Sequence, residues 1–184
     1  MFSNFIGHLS TVIRHKNMVL KHCIKAGIVW RGLTHDLSKF SPTEFIPSVK
    51  YYQGTRSPNE RERELFGYSS AWMHHKGRNR HHYEYWTDMN PKTQRYESVE
   101  MPRKYLVEMV MDRRAACMTY QGAAYTNASP LEYLEKSRER NIMHPETRRQ
   151  LQFILEKLKD EGETETFRYL KEEILGGKPF PWEE

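Results

Sequence analysis

At 184 residues the chain is long enough to bury a core without disulfide or metal staples, and it suggests one domain with a small helical appendage. Hydrophobic residues make up 38% and aromatic residues 12%, enough core material to set aside disorder. The formal net charge of +5 favours an anionic ligand such as a phosphate ester or nucleotide, but is too mild to diagnose nucleic-acid binding. The two cysteines, Cys23 and Cys117, form no CxxC pair, which argues against a zinc ribbon or redox motif and for buried free thiols. The first 22 residues lack the apolar block of a signal peptide, and no run of roughly 18 apolar residues occurs anywhere. The expectation is a soluble cytoplasmic protein that does not engage a membrane.

Helical periodicity dominates, and no segment shows the strict alternation of a half-buried strand between hairpin turns. The pattern predicts an all-α chain with helices over 3–27, 30–40, 42–53, 58–76, 101–121, 130–141, 145–160 and 163–175. Ser41-Pro42-Thr43-Glu44, Ser57-Pro58-Asn59-Glu60 and Ser129-Pro130-Leu131-Glu132 each fit a capping box, and His144-Pro145-Glu146 is a weaker start of the same kind. Gly176-Gly177 terminates the last helix, with Pro179 and Pro181 beyond it. The stretch 77–100 reads as a long irregular segment, and segments of that length in compact domains are usually functional or mobile. The Glu-, Lys- and Arg-rich region 126–184 reads as a helical extension packed on a domain formed by 1–125.

Nine histidines stand out by placement. His8, His15 and His22 recur every seven residues, so they share a face of the first helix. Their spacing, about 10.5 Å of rise per step, lets at most one of them ligate a given ion. The other two read as surface or supporting groups. His35 and Asp36 are adjacent, with Lys39 on the same face as Asp36. A lysine beside a metal-binding carboxylate suits an anionic substrate, whereas an ordinary surface Asp–Lys pair is the plainer alternative. The run Trp72-Met73-His74-His75-Lys76-Gly77-Arg78-Asn79-Arg80-His81-His82 places four histidines among basic residues, as a phosphate-binding rim would. Its alternative is a surface patch. Asp112 lies in an apolar helix and must be paired, exposed or metal-bound, with Arg113 and Arg114 as adjacent ion-pair partners.

Taken in order, His15, His35-Asp36 and Asp112 resemble the ligand series of the HD-domain superfamily of metal-dependent phosphohydrolases. His35-Asp36-Leu37-Ser38-Lys39 resembles the His-Asp-x-x-Lys form of its binuclear branches. The stretches HDLSKFSPTEF (35–45) and 72–86 resemble a family of small, functionally unassigned HD-like bacterial proteins, and the likeness covers about residues 10–125. It implies an HD-like helical bundle and one or two divalent transition-metal ions (Mn, Fe, Co, Ni or Zn). His15, His35, Asp36 and Asp112 would hold one ion, and Asp36 would bridge to a second held by candidates among His74, His75, His81 and His82. Binuclear members space those middle histidines about twenty residues apart, whereas here the pairs are seven apart. The implied activity is hydrolysis of a phosphate ester or nucleotide by a metal-activated water, with Asp36 and Lys39 catalytic. Lys39, Arg78, Arg80, Tyr83 and Trp86 are the candidate substrate-binding residues. The same ligand order serves HD-type diiron oxygenases, and a non-enzymatic nucleotide or nucleic-acid binder is a further alternative.

Overall fold

The structure, a computed structural model, describes residues 2–137 and 142–183. Helix α1 (Phe2–Lys25) buries His8, Val12, His15, Val19, His22 and Cys23. That is a stripe spaced by three and four residues, as an amphipathic helix facing a core requires. All three histidines of the seven-residue repeat therefore point inward. The helix ends at Gly27 in the left-handed region (φ 81°), and the Ile28 N–H donates to the Cys23 carbonyl at 2.9 Å, a Schellman-type stop.

Helix α2 (Val29–Thr34) folds back onto α1. A Cβ at Gly32 would lie 2.7 Å from Cys23 Cβ and 3.0 Å from Leu20 Cα, so the two backbones approach as only glycine allows. The expected helix over 30–40 is broken here. His35 is extended (ψ 128°) and Asp36 is left-handed (φ 55°, ψ 24°), after which residues Leu37–Phe40 form one 3₁₀ turn. The Lys16 ammonium, donating to the carbonyls of Leu33 and His35 at 2.8 Å each, anchors this corner to α1.

Helix α3 (Pro42–Lys50) follows. The single helix expected over 58–76 is two, α4 (Pro58–Phe66) and α5 (Ser70–Lys76), separated by Gly67 at φ 79°. Ser41 and Ser57 occupy N-cap positions without a side-chain cap bond, and Ser129 lies one residue inside its helix, so none of the three expected capping boxes forms. Ser69 caps α5 instead, accepting from the Trp72 N–H at 3.1 Å, and His144 caps its helix as expected.

The segment expected to be irregular contains a hairpin. Strands β1 (Thr87–Asn90) and β2 (Arg95–Ser98) pair antiparallel, Thr87 opposite Ser98 and Asn90 opposite Arg95. The Asn90 side-chain oxygen accepts from the Lys92 and Thr93 N–H groups, building the turn. Both strands are largely exposed, so no buried face imposes the alternation by which strands are read from sequence.

Helix α6 (Arg103–Gln121) is buried continuously from Tyr105 to Met111, as a central helix covered on all sides must be. Helix α7 (Ser129–Lys136) and α8 (Pro145–Tyr169) close over it. Residues 138–141, the end of the expected 130–141 helix, lie outside the described residues. Helix α8 bends at Gly162 (φ 81°), where the sequence pattern separates two helices, and continues as a π-turn over Leu170–Ile174. One hydrophobic core joins Val19 and Cys23 of α1, Leu106 and Val110 of α6, Leu134 of α7, Leu155 and Leu158 of α8, and Phe180. Among the described residues no helix is long and apolar enough to cross a membrane.

Under α8, the Arg114 guanidinium donates to His22 Nε2 and pairs with Glu163, which also meets Lys25. Burial, and then the Arg114 charge, pull the His22 pKa from 6.5 down to about 4. A depressed histidine pKa contributes stability above the unfolded-state value and loses it as pH falls towards the folded one. The His22→Gln variant keeps an acceptor for Arg114 without the proton. Between pH 7 and 4, wild type should lose about 3 kcal/mol more stability than this variant, as denaturant melts at the two pH values would measure. The close α1–α2 approach gives a second expectation. Gly32→Ala should destabilise by about 1–3 kcal/mol in the same melts by forcing the helices apart.

Candidate metal centre

The corner at Asp36 places a carboxylate in the interior, where its side chain is 2% exposed. Five histidines and a second aspartate surround it. From α1, His15 Nε2 comes within 2.9 Å of Asp112 Oδ1 and 3.9 Å of Asp36 Oδ2. His35 Nε2 lies 3.3 Å from Asp36 Oδ2 and 3.5 Å from Asp112 Oδ1. On the opposite side of the carboxylate, His75 Nε2 and His81 Nε2 lie 3.3 and 3.4 Å from Asp36 Oδ1. His82 stacks beside both, at 4.8 Å from the His75 ring and 4.1 Å from the His81 ring. Ligand atoms of His15, His35, Asp36 and Asp112 all lie within 4.8 Å of one another, and so do those of Asp36, His75, His81 and His82. The two sets share Asp36.

The sequence reading anticipated both sets. The structure groups His75, His81 and His82 with Asp36 and leaves His74 outside both sets. His74 Nδ1 is turned to Glu44 Oε1 at 2.6 Å. The alternative for Asp112, an ion pair with its arginine neighbours, is not what is found. Arg114 is engaged by His22 and Glu163, and the closest partners of Asp112 are imidazoles.

A carboxylate ring holds the histidines from behind. His35 Nδ1 lies 3.1 Å, and His81 Nδ1 3.3 Å, from Glu108 Oε1, while Glu108 Oε2 pairs with Arg31 Nε at 2.9 Å. His75 Nδ1 meets Glu44 Oε2 at 2.8 Å. A carboxylate on Nδ1 fixes the proton there and directs the Nε2 lone pair forward, the arrangement that supports metal-ligating imidazole. Glu44, expected to close a capping box, is instead buried between His74 and His75. The sequence signal for Glu108 was a carboxylate inside an apolar helix run, four residues before Asp112 and hence on its face.

Apart from the Lys39–Asp36 ion pair and the His15–Asp112 contact, the forward-facing atoms lack aligned partners. His15 Nε2, His35 Nε2, His81 Nε2, His82 Nε2 and both Asp36 oxygens are buried without an aligned hydrogen bond among the described residues. Buried polar atoms are rarely left so, and a cluster of them aimed at shared points fits divalent cations. Burial opposes charge on all these groups. For His35 the neighbouring Asp36, Asp112 and Glu108 outweigh it and raise the pKa well above the usual value. For Asp36, His35 and Lys39 outweigh burial and hold the carboxyl well below the carboxylate range. Lys39 Nζ sits 2.5 Å from Asp36 Oδ2.

A cavity of about 450 Å³ opens from His15, His75, His82 and Asp112, with Lys39, Tyr52, Trp72, Tyr83, Arg113 and Tyr120 in its walls. That volume suits a small molecule. Of the substrate-binding candidates, Lys39 and Tyr83 line it. Arg78, Arg80 and Trp86 do not. Arg78 is exposed, the Arg80 guanidinium donates to the Tyr105 hydroxyl at 3.0 Å, and Trp86 packs on Tyr105 while donating to the Arg80 carbonyl. The turns after α5 direct these side chains away from the histidines beside them in sequence. His8 also lines the cavity, its pKa pulled down to about 4 by burial and then by the Lys39 charge.

Residues 4–157 match the family model described as "Family of unknown function (DUF5662)", and the chain belongs to that family. No match was found among curated proteins or among solved structures.

The carboxylates behind the imidazoles give an asymmetric expectation. Glu108 supports a histidine in each set, Glu44 in one only. If metal binds at these sets, Glu108→Gln should weaken its uptake at both and Glu44→Gln at one, by about 10–100-fold in metal titrations.

Proposed function

We propose that this chain is a metal-dependent phosphohydrolase acting on a small phosphate ester or nucleotide. The observation that carries the reading is the division of the Asp36 carboxylate. Oδ2 faces His15, His35 and Lys39, and Oδ1 faces His75 and His81. One carboxylate serving two imidazole sets is the donor arrangement of a bridged two-ion site. The likeness of His15, His35-Asp36 and Asp112 to the HD-domain series supports the same reading.

Divalent ions bound there would supply a water of lowered pKa and positive charge opposite an attacked phosphoryl group. The nitrogen-rich donor set favours Mn, Fe, Co, Ni or Zn over Mg or Ca. The chain's own residues do the rest. Asp112 puts negative charge in the cavity wall, and Asp36 lies behind it between the two histidine sets. Glu44 and Glu108 keep the imidazoles aimed at it. Lys39, half-buried and paired with Asp36, balances that carboxylate at the cavity wall. The partly enclosed cavity reduces bulk water around the reacting groups.

Asp36→Asn should lower metal content measured by elemental analysis and abolish hydrolysis of a phosphomonoester panel together, with helical circular dichroism preserved. Arg78→Ala, exposed and outside the cavity, should change neither by more than about twofold. Wild type that takes up no transition metal on addition would overturn the proposal. Turnover that requires O₂ would transfer the site to the oxygenase reading, and salt-dependent nucleotide binding without metal or product would leave a binding protein.

A further inference from the structure

Among the described residues the cavity has three lysine or arginine side chains in its walls, and two are committed. Lys39 is paired with Asp36. Arg56 is held by Glu64 through both terminal nitrogens, Nη2 to Oε2 at 2.8 Å. The third, Arg113, has no carboxylate partner among the described residues. Its Nε and Nη1 are buried with no hydrogen-bond partner, and its guanidinium lies 5.8 Å from the centroid of the Tyr133 ring, which also lines the cavity. Desolvated guanidinium nitrogens without acceptors are costly, and a planar fork of donors is the group best matched to a phosphate or carboxylate. Thr119 Oγ1, elsewhere in the cavity lining, is likewise buried without a partner.

Arg113 directly follows Asp112 on α6. Tyr133, whose ring its guanidinium faces, and Tyr83 line the same cavity, as does Glu84, which forms no ion pair with Arg113. Aromatic rings offer stacking and apolar contact to the body of a ligand rather than to its charge.

We propose that Arg113 is the anion anchor of this cavity, gripping the phosphate-type head of a small substrate whose apolar or aromatic body lies against the tyrosine-lined wall. The inference deepens the phosphohydrolase reading and rests on it for the chemistry of the head group. It also replaces Arg78 and Arg80 with a residue that the sequence masks as an ion-pair partner of Asp112.

The test uses phenylphosphonate, which carries such a head and body and has no ester bond to hydrolyse. Binding is measured calorimetrically to the full chain in two states, loaded with Mn²⁺ and stripped with chelator, with metal content recorded for each. The expected result is binding by wild type, weakened about tenfold to a hundredfold in Arg113→Met. Arg113→Lys, which keeps the charge without the fork, should fall between them. Inorganic phosphate, lacking the aromatic body, should bind wild type more weakly than phenylphosphonate. Equal affinity of wild type and Arg113→Met, or no binding to wild type at millimolar probe, would overturn the proposal. Should Arg113→Met fail to fold, unchanged affinity in Arg113→Lys would do so. The stripped arm keeps this outcome apart from the other reading. A chain that takes up no Mn²⁺ yet loses probe affinity on Arg113 substitution retains the anchor and loses the hydrolase.

Discussion

An ionised carboxylate with almost no solvent exposure has to be met by positive charge or by hydrogen bonds, and Asp36 is met by imidazoles from four directions and by one ammonium. The surrounding fold is arranged to make this possible. Gly32 lets α2 lie against α1, which brings His35 and Asp36 over His15. Lys16 anchors the carbonyls on either side of Thr34 and holds the corner in which Asp36 takes a left-handed backbone. Left-handed conformation is tolerated by aspartate better than by most residues, and such strain is found where a site requires it. Helix α6 then supplies Asp112 in front and Glu108 behind, one turn apart.

The cluster is expensive as a purely structural device. Apolar residues of similar volume would fill the same space without desolvating five imidazoles and four carboxylates. Elsewhere the His22, Arg114, Glu163 and Lys25 network leaves two buried nitrogens, His22 Nδ1 and Arg114 Nε, without a partner. Around Asp36 the unpartnered atoms are more numerous and gather about one carboxylate. Arg113 is set apart from the cavity's other cations by a similar lack of partners.

Much of the centre was legible in the sequence because its residue types are distinctive. A His-Asp tandem, a histidine on an apolar helix stripe and an aspartate inside a core helix are each hard to account for by packing alone, and their order in the chain supplied the rest. The backbone at the tandem was not legible. Residues 30–40 carry helical periodicity, and the break at Asp36 is imposed by tertiary contacts such as those from Lys16. The 87–98 hairpin escaped because its strands bury neither face. Glu44 fits a capping box by spacing, but an electrostatic partner in the interior outweighs a cap bond at the surface. Arg78 and Arg80 show a different limit, since neighbours of a ligand in sequence need not face its cavity once the chain turns.

The most direct measurement is anomalous diffraction from crystals soaked in a manganese or zinc salt. Two peaks flanking the Asp36 carboxylate, one towards His15 and Asp112 and the other towards His75 and His81, are the expected result. Soaked crystals whose only peaks lie at surface histidines, with none beside Asp36, would contradict the account.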